Sequence, residues 1–476
     1  MSTPTESELG ILAPIDKMMH PYRERFESVS QLPTEGRDRA AILEEMQQLR
    51  DLEQARWEEG YASGSVYHGD NEHVDFVSKV YAIQSQSNPL HPDLWPSAAK
   101  FEAEIVAMTA HMLGAGQTTA PFGSEEGVCG SVSSGGSESI LLAMKTYRDW
   151  ARDKKGITQP EIVLPVSAHA AFHKAAQYFN LEAKVVPLDD DFRVEVAAMA
   201  DAITSNTIAL VASAVNFPYG TIDPIDKVGE LAQAHDIGLH VDGCLGGFFL
   251  PWAEKLGQPV PPFDFRVPGV TSMSCDTHKY GYAPKGTSVV LYRGQELRRY
   301  QYFTIADWPG GLYYSPTFSG SRPGALSAAC WASLVNHGEA GYLDATKRIL
   351  DAVATIRSGI AKIPELRFLG HPIGPFAVAS DDVNIYQVLD QMSERKWVLT
   401  GLLNPAAIHV SPTLRQTEPG VAERFVHDLK ESVAYVRDTP DIEGGMAPIY
   451  GMAASIPDRS LVHGMLQQVM DIYYWL

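Results

Sequence analysis

The chain is short of positive charge: 38 Lys and Arg stand against 58 Asp and Glu, a formal net charge of −20 over 476 residues. Recognition of a phosphate backbone needs a basic face, so nucleic acid is excluded as the main partner. A polybasic membrane anchor is disfavoured on the same ground, while a local basic pocket for an anionic substrate stays open. Cysteine is scarce as well. Cys129, Cys244, Cys275 and Cys330 are the four, and no Cys-x-x-Cys pair occurs. That argues against zinc or thioredoxin-like chemistry, and no metal is expected. The cysteines sit in or beside apolar or glycine-rich segments, which favours reduced, buried thiols. There is no apolar run long enough to span a bilayer. The opening Met1-Ser2-Thr3-Pro4-Thr5-Glu6 has neither a basic region nor an apolar one, so no signal peptide is expected and the location is read as cytoplasmic.

What is present is a hydrophobic fraction of 45%, enough for a globular chain with a large core. The pattern predicts three parts: a helical arm with loops over 1–95, a large domain over 96–350, and a smaller one over 351–476. Residues 38–59 are rich in helix formers, and Phe101, Ile105, Met108 and Met112 recur at helical spacing. From residue 162 strands and helices alternate: strands at 162–164, 183–188, 207–214 and 238–242, with helices between. Such alternation predicts an α/β fold with a mostly parallel sheet between helices. Ligands then sit beyond the carboxyl ends of the strands. His169, Asn216 and Asp242 each fall at or just past such an end.

Two further stretches carry chemistry. Val132-Ser133-Ser134-Gly135-Gly136-Ser137 enters a helix with an apolar stripe. A helix N-terminus offers unpaired N–H groups and the positive end of a dipole, which suits a phosphate, although simple capping produces the same pattern. Thr277-His278-Lys279-Tyr280-Gly281 stands before the buried-looking run Ser288–Tyr292. Lys279 is thus expected at a tight turn beside the core, where lost hydration would favour the neutral, nucleophilic amine. Asp242 ends an apolar strand ahead of Gly243-Cys244-Leu245-Gly246-Gly247; a carboxylate there must be paired or serve a ligand, or else cap a helix. The glycine-rich, aromatic stretch 300–330 reads as a functional loop.

In this order the pieces resemble pyridoxal-phosphate-dependent enzymes of the aspartate-aminotransferase fold (type I, a seven-stranded sheet plus a smaller C-terminal domain), in the branch that contains the group II amino-acid decarboxylases. Within it the chain is similar to the sphingosine-1-phosphate lyases. The stretches that carry this are Val66-Tyr67-His68-Gly69, Asn88-Pro89-Leu90-His91-Pro92, His240-Val241-Asp242, Thr277–Gly281, Ser315–Gly324 and Ile449-Tyr450-Gly451. The resemblance implies that Lys279 forms a Schiff base with the cofactor pyridoxal 5'-phosphate. Asp242 would hold a proton on the pyridine nitrogen, and His169 would stack on the ring. Gly136, Ser137 and His278 would hold the cofactor phosphate, with Ser319 and Gly320 reaching in from the partner of a homodimer. Tyr67, Asn88, His91, Lys285 and Arg322 would meet the substrate phosphate, with Tyr450 at the reacting centre. The implied reaction is a retro-aldol cleavage of a phosphorylated long-chain base. A group II decarboxylase shares Lys279, Asp242 and His169 and is the main alternative. A non-catalytic scaffold would not need all three.

Overall fold

The computed structural model describes residues 12–117, 120, 124–439 and 459–476. The chain divides into two compact units, 1–55 with 441–476, and 56–440. In the smaller unit, helices Ala13–Met19 and Arg459–Tyr473 contribute Leu12, Ile15 and Ile472 to a small apolar cluster.

The larger unit is built on seven strands: β1 (Val128–Ser133), β2 (Glu161–Pro165), β3 (Glu182–Val186), β4 (Thr207–Ser213), β5 (Gly238–Asp242), β6 (Ser272–Cys275) and β7 (Ser288–Arg293), in the order β1-β7-β6-β5-β4-β2-β3. The neighbours from β3 to β6 are parallel, while β7 runs antiparallel to both β6 and β1. Every residue of β4 and β5 is buried, as a sheet covered on both faces requires. Alternate side chains feed two separate cores: Val163, Leu210 and Val241 pack on one side, and Ile162, Leu164 and Val211 on the other. The edge strand β3 is largely exposed and carries Glu182 and Lys184, charges that discourage further pairing.

β6 is a strand that hydrophobic patterning does not reveal, because two of its four residues are serines. Both are buried and bonded to the imidazole of His240: Ser272 Oγ lies 2.7 Å from Nδ1, and Ser274 Oγ 3.2 Å from Nε2. Its register sets Asp242 opposite Ser274. The chain leaving β6 therefore delivers residues 276–279 alongside the end of β5.

The stretch 300–330 is not wholly irregular. β8 (Phe303–Ile305) and β9 (Tyr313–Ser315) pair as an antiparallel ribbon. Helix Gly324–Ile360 then runs through residues 345–355, so the change of sequence pattern there marks no break in the chain. Its one departure is Gly338, at φ 54 and ψ −176, a conformation that glycine adopts freely. Beyond it, β10 (Arg367–Phe368), β11 (Phe376–Ala379), β12 (Thr400–Leu402) and β13 (Ala407–Val410) form a smaller antiparallel sheet in the order β10-β11-β13-β12. No helix among the described residues is long and apolar enough to cross a membrane.

Candidate active site

Lys279 sits just past β6 with its Nζ 2.8 Å from Asp276 Oδ2. Asp276 is 3% exposed, and its Oδ1 has no hydrogen-bond partner. Burial works against charge on both groups, but the pair overrides it. Lys279 and then His278 hold the Asp276 carboxyl below its ordinary range. Burial would lower the Lys279 amine, yet Asp276, followed by Cys244 and Tyr67, leaves it well above the usual lysine value. The expected neutral amine is therefore corrected: before any cofactor enters, Lys279 is an ammonium ion, because the loop that desolvates it also supplies a carboxylate three residues back.

Asp242 lies at the end of β5, and its Oδ1 accepts from the Cys244 N–H at 3.0 Å and from Ser274 Oγ at 3.2 Å. It closes a local turn instead of capping a helix, and it keeps a buried carboxylate at the strand end. Cys244 Sγ donates toward Ser274 Oγ at 3.4 Å, so the two groups that fix Asp242 also contact each other.

The glycine-rich turn closes the same site. Helix Gly136–Lys155 begins at Gly135, which gives it no side-chain cap. Its first N–H groups are thus offered to a ligand. A Cβ on Gly136 would stand 2.8 Å from both Asp276 carboxylate oxygens and from Cys244 Sγ, so only glycine fits there. His278 is beside it, with Nδ1 2.6 Å from Thr287 O and Nε2 3.9 Å from Asp276 Oδ2. Burial, the largest influence, lowers its pKa, partly offset by Asp276. An uncapped helix start, an orphaned buried carboxylate oxygen, a carboxylate at a strand end and a half-buried lysine suit a cofactor that carries phosphate, ring nitrogen and aldehyde. Gly136, Ser137, His278, Asp242 and Lys279 are the residues that could hold it.

Tyr67 enters from the other side. It is buried, its ring meets that of Tyr280 edge-on at 4.9 Å, and Lys285 Nζ lies 5.1 Å from its centroid. Burial raises the Tyr67 pKa, the strongest of its influences. Lost hydration and then the neighbouring Lys279 lower that of Lys285. His169 is exposed just beyond β2, with Nδ1 accepting from the Ala171 N–H at 3.2 Å and its ring edge-on to Phe217 at 6.4 Å.

A second group gathers around a cavity of about 310 Å³ lined in part by Leu90, Ser319, Gly320 and Arg322. Asn88 ties it together: Nδ2 donates to Ser321 Oγ at 3.1 Å, and Oδ1 accepts from the N–H groups of Leu90 and Arg322. Arg322 is committed to Glu102 through both guanidinium nitrogens, one at 2.7 Å. His91 is exposed, its ring 6.4 Å from that of Trp95. Glu138 links the two groups, accepting from Ser134 N at 2.6 Å and Phe318 N at 3.1 Å. Asn216 is spent on its own turn, bonded to Thr221, Phe192 and Tyr219. Tyr450 lies outside the described residues. Sequence reading passed over Asp276, Ser274 and Glu138. An acid three residues before the lysine was the one available signal.

The family model described as a pyridoxal-dependent decarboxylase conserved domain matches residues 31–305. The chain is 47% identical to a sphingosine-1-phosphate lyase of Oryza sativa subsp. japonica over 448 residues, 93% of this chain and 81% of that one. Among solved structures it is similar to a sphingosine-1-phosphate lyase of Burkholderia pseudomallei, with a TM-score of 0.89 and 43% identity, covering 96% of this chain and 99% of that one. A glutamate decarboxylase of Lactobacillus brevis shares the fold alone, at 20% identity and a TM-score of 0.73, over 88% of this chain and 98% of that one.

Proposed function

Because the chain belongs to the sphingosine-1-phosphate lyase family of pyridoxal-dependent enzymes, we propose that it cleaves the C2–C3 bond of phosphorylated long-chain bases, giving a long-chain aldehyde and phosphoethanolamine. The observation that carries this choice over decarboxylation is the 47% identity to a lyase across 93% of the chain. The decarboxylase match, at 20%, extends to architecture only.

Pyridoxal phosphate, when bound, supplies an aldehyde for an amine and a cationic ring that draws electrons from the breaking bond. The chain's own residues do the rest. Asp242, fixed by the Cys244 N–H and the Ser274 hydroxyl, holds a proton at the ring nitrogen. The Gly136–Ser137 N–H groups and His278 hold the phosphate, and His169 offers its ring face. Lys279 must lose its proton before its amine can react, and Asp276 Oδ2 at 2.8 Å opposes that loss until it is displaced.

We assign the substrate phosphate to Lys285, His91 and the Asn88 amide, with Arg322 joining only if it leaves Glu102, and assign Tyr450 a role at the reacting centre by resemblance alone. We keep the sequence-based division into an arm, a large and a small domain over 1–95, 96–350 and 351–476 as a proposal, its last boundary falling within helix Gly324–Ile360. A homodimer with Ser319 and Gly320 shared across the interface is supported by a run of exposed apolar side chains, Phe303, Trp308, Leu312, Tyr314 and Phe318, of which Leu312 is 81% exposed. A cytosolic location is supported by four free, buried cysteines. The test is to offer the base with and without its phosphate. Turnover confined to the phosphorylated form supports the assignment, and equal turnover of both contradicts it.

A further inference from the structure

His68 and His73, neighbours in sequence, converge with the distant His337 close to the lysine loop. His68 follows Tyr67, His73 lies in helix Asn71–Ile83, and His337 precedes Gly338 in helix Gly324–Ile360. One nitrogen from each ring lies within 4.8 Å of one from each of the others. The ring centroids of His73 and His337 are 5.0 Å apart at 70°, and those of His68 and His337 are 5.2 Å apart at 75°. His68 and His73 are stacked at 4.2 Å.

Hydrogen bonding leaves ligand nitrogens available. His73 Nε2 is bonded to Tyr282 O at 2.8 Å, so it carries the proton, and the buried Nδ1 is left as a lone pair without a partner. His337 Nδ1 is bonded to Ser333 O at 2.9 Å, which leaves Nε2 as a lone pair. A ring N–H donating to a backbone carbonyl is the support that ligating histidines ordinarily have. His68 Nδ1 accepts the Asp70 N–H at 3.3 Å, so this ring must give up that bond and turn out of the stack to offer a lone pair. Burial, followed by the neighbouring histidines, drives the His68 pKa down to about 3, and burial lowers those of His73 and His337. Metal binding takes the neutral form of all three rings. Asp70 nearby favours a cation, and Arg415 opposes one more weakly.

We propose that His68, His73 and His337 form a binding site for one divalent transition ion of the zinc class, which clips the Tyr67 loop to the kink of helix Gly324–Ile360 beneath the lysine loop. Three neutral imidazoles suit zinc, nickel or copper and suit magnesium or calcium poorly. Water completes the coordination. The absence of cysteine pairs gave no hint of such a site, because its ligands come from segments up to 269 residues apart in sequence — His68 to His337. The ion bears on the active site through Tyr282. This residue has φ +60, its carbonyl holds His73, and its N–H donates to Lys279 O at 3.0 Å.

The test uses full-length, cofactor-loaded protein freed of metal by a chelator. Zinc is titrated calorimetrically, bound metal is counted after dialysis, and the zinc edge is examined by X-ray absorption. One equivalent per chain is expected, bound at micromolar affinity or tighter, with about three imidazole nitrogens at about 2.0–2.1 Å. Thermal unfolding should shift upward with zinc and not with magnesium. His73→Asn should weaken binding roughly tenfold or more. If that variant folds poorly, His68→Asn with His337→Gln, both at partly exposed positions, should show the same loss while retaining the visible spectrum of bound cofactor. The absence of stoichiometric uptake by the unaltered protein would overturn the proposal, and so would uptake undiminished in the double variant.

Discussion

Lys279, half-buried, and Asp276, buried, form an ion pair three residues apart, 2.8 Å from Nζ to Oδ2, at the place where the helix start at Gly136 allows no side chain. The lysine of the resting protein is thus charged and held, and its reactivity depends on what displaces its partner.

Replacing Asp276 by Asn removes that partner and leaves a half-buried ammonium unpaired. Cofactor-free Asp276→Asn should lose about 3–5 kcal/mol at neutral pH, measured by urea unfolding. The signs follow from the two shifts. The Asp276 carboxyl is held low, so its stabilisation is complete above the unfolded value near pH 4 and is lost as pH falls through the lower folded value. The Lys279 amine is held high, so its contribution is complete below about pH 10 and is lost as pH rises through the folded value. In the variant the amine loses this support, so covalent uptake of the cofactor aldehyde should move to lower pH. Unchanged stability and an unchanged uptake profile would show that the pair is incidental.

Lys279→Ala should abolish the covalent link to the cofactor, with its visible absorbance, and reduce turnover by about 10³-fold or more. The check is absorbance together with reductive trapping by borohydride. Normal turnover in this variant would be incompatible with its role.

The large-domain strands were legible because β4 is a largely apolar run and β5 a short one closed by Asp242, while Lys279 stood out as a charge ahead of the apolar β7. β6 was not legible, since its buried serines satisfy His240 and carry no hydrophobic signal. Nor was the charge state of Lys279, which depends on the fold of the loop that bends Asp276 back onto it. The engagement of Arg322 by Glu102 is likewise a pairing across 220 residues that no local pattern announces.

The phosphate assignment rests on donors at the rim. His91→Ala should lower kcat/KM for the phosphorylated base roughly ten- to a hundredfold, the worth of one charge-assisted hydrogen bond at about 1.5–3 kcal/mol. Asn88→Ala should do at least as much, since Asn88 also fixes Ser321 and Arg322. In both, bound cofactor and its colour should persist. Steady-state kinetics beside an absorption spectrum decide the matter, and loss of cofactor would place these residues elsewhere.

Shared sites make a sharp prediction for mixed dimers. A variant altered at Ser319 and the Lys279→Ala variant should each be weak alone, and the mixture should regain activity, because one of its two sites draws both intact residues from different chains. Light scattering should give twice the 52.1 kDa chain mass. A fully active monomer would contradict the arrangement.

The most direct measurement is product identification. The cofactor-loaded protein is supplied with a phosphorylated long-chain base, and separately with glutamate and with an aromatic amino acid. A long-chain aldehyde and phosphoethanolamine should appear in equal amounts from the first, with no carbon dioxide from the others. Release of carbon dioxide from an amino acid at a useful rate, with the phosphorylated base left intact, would contradict carbon–carbon cleavage as the activity.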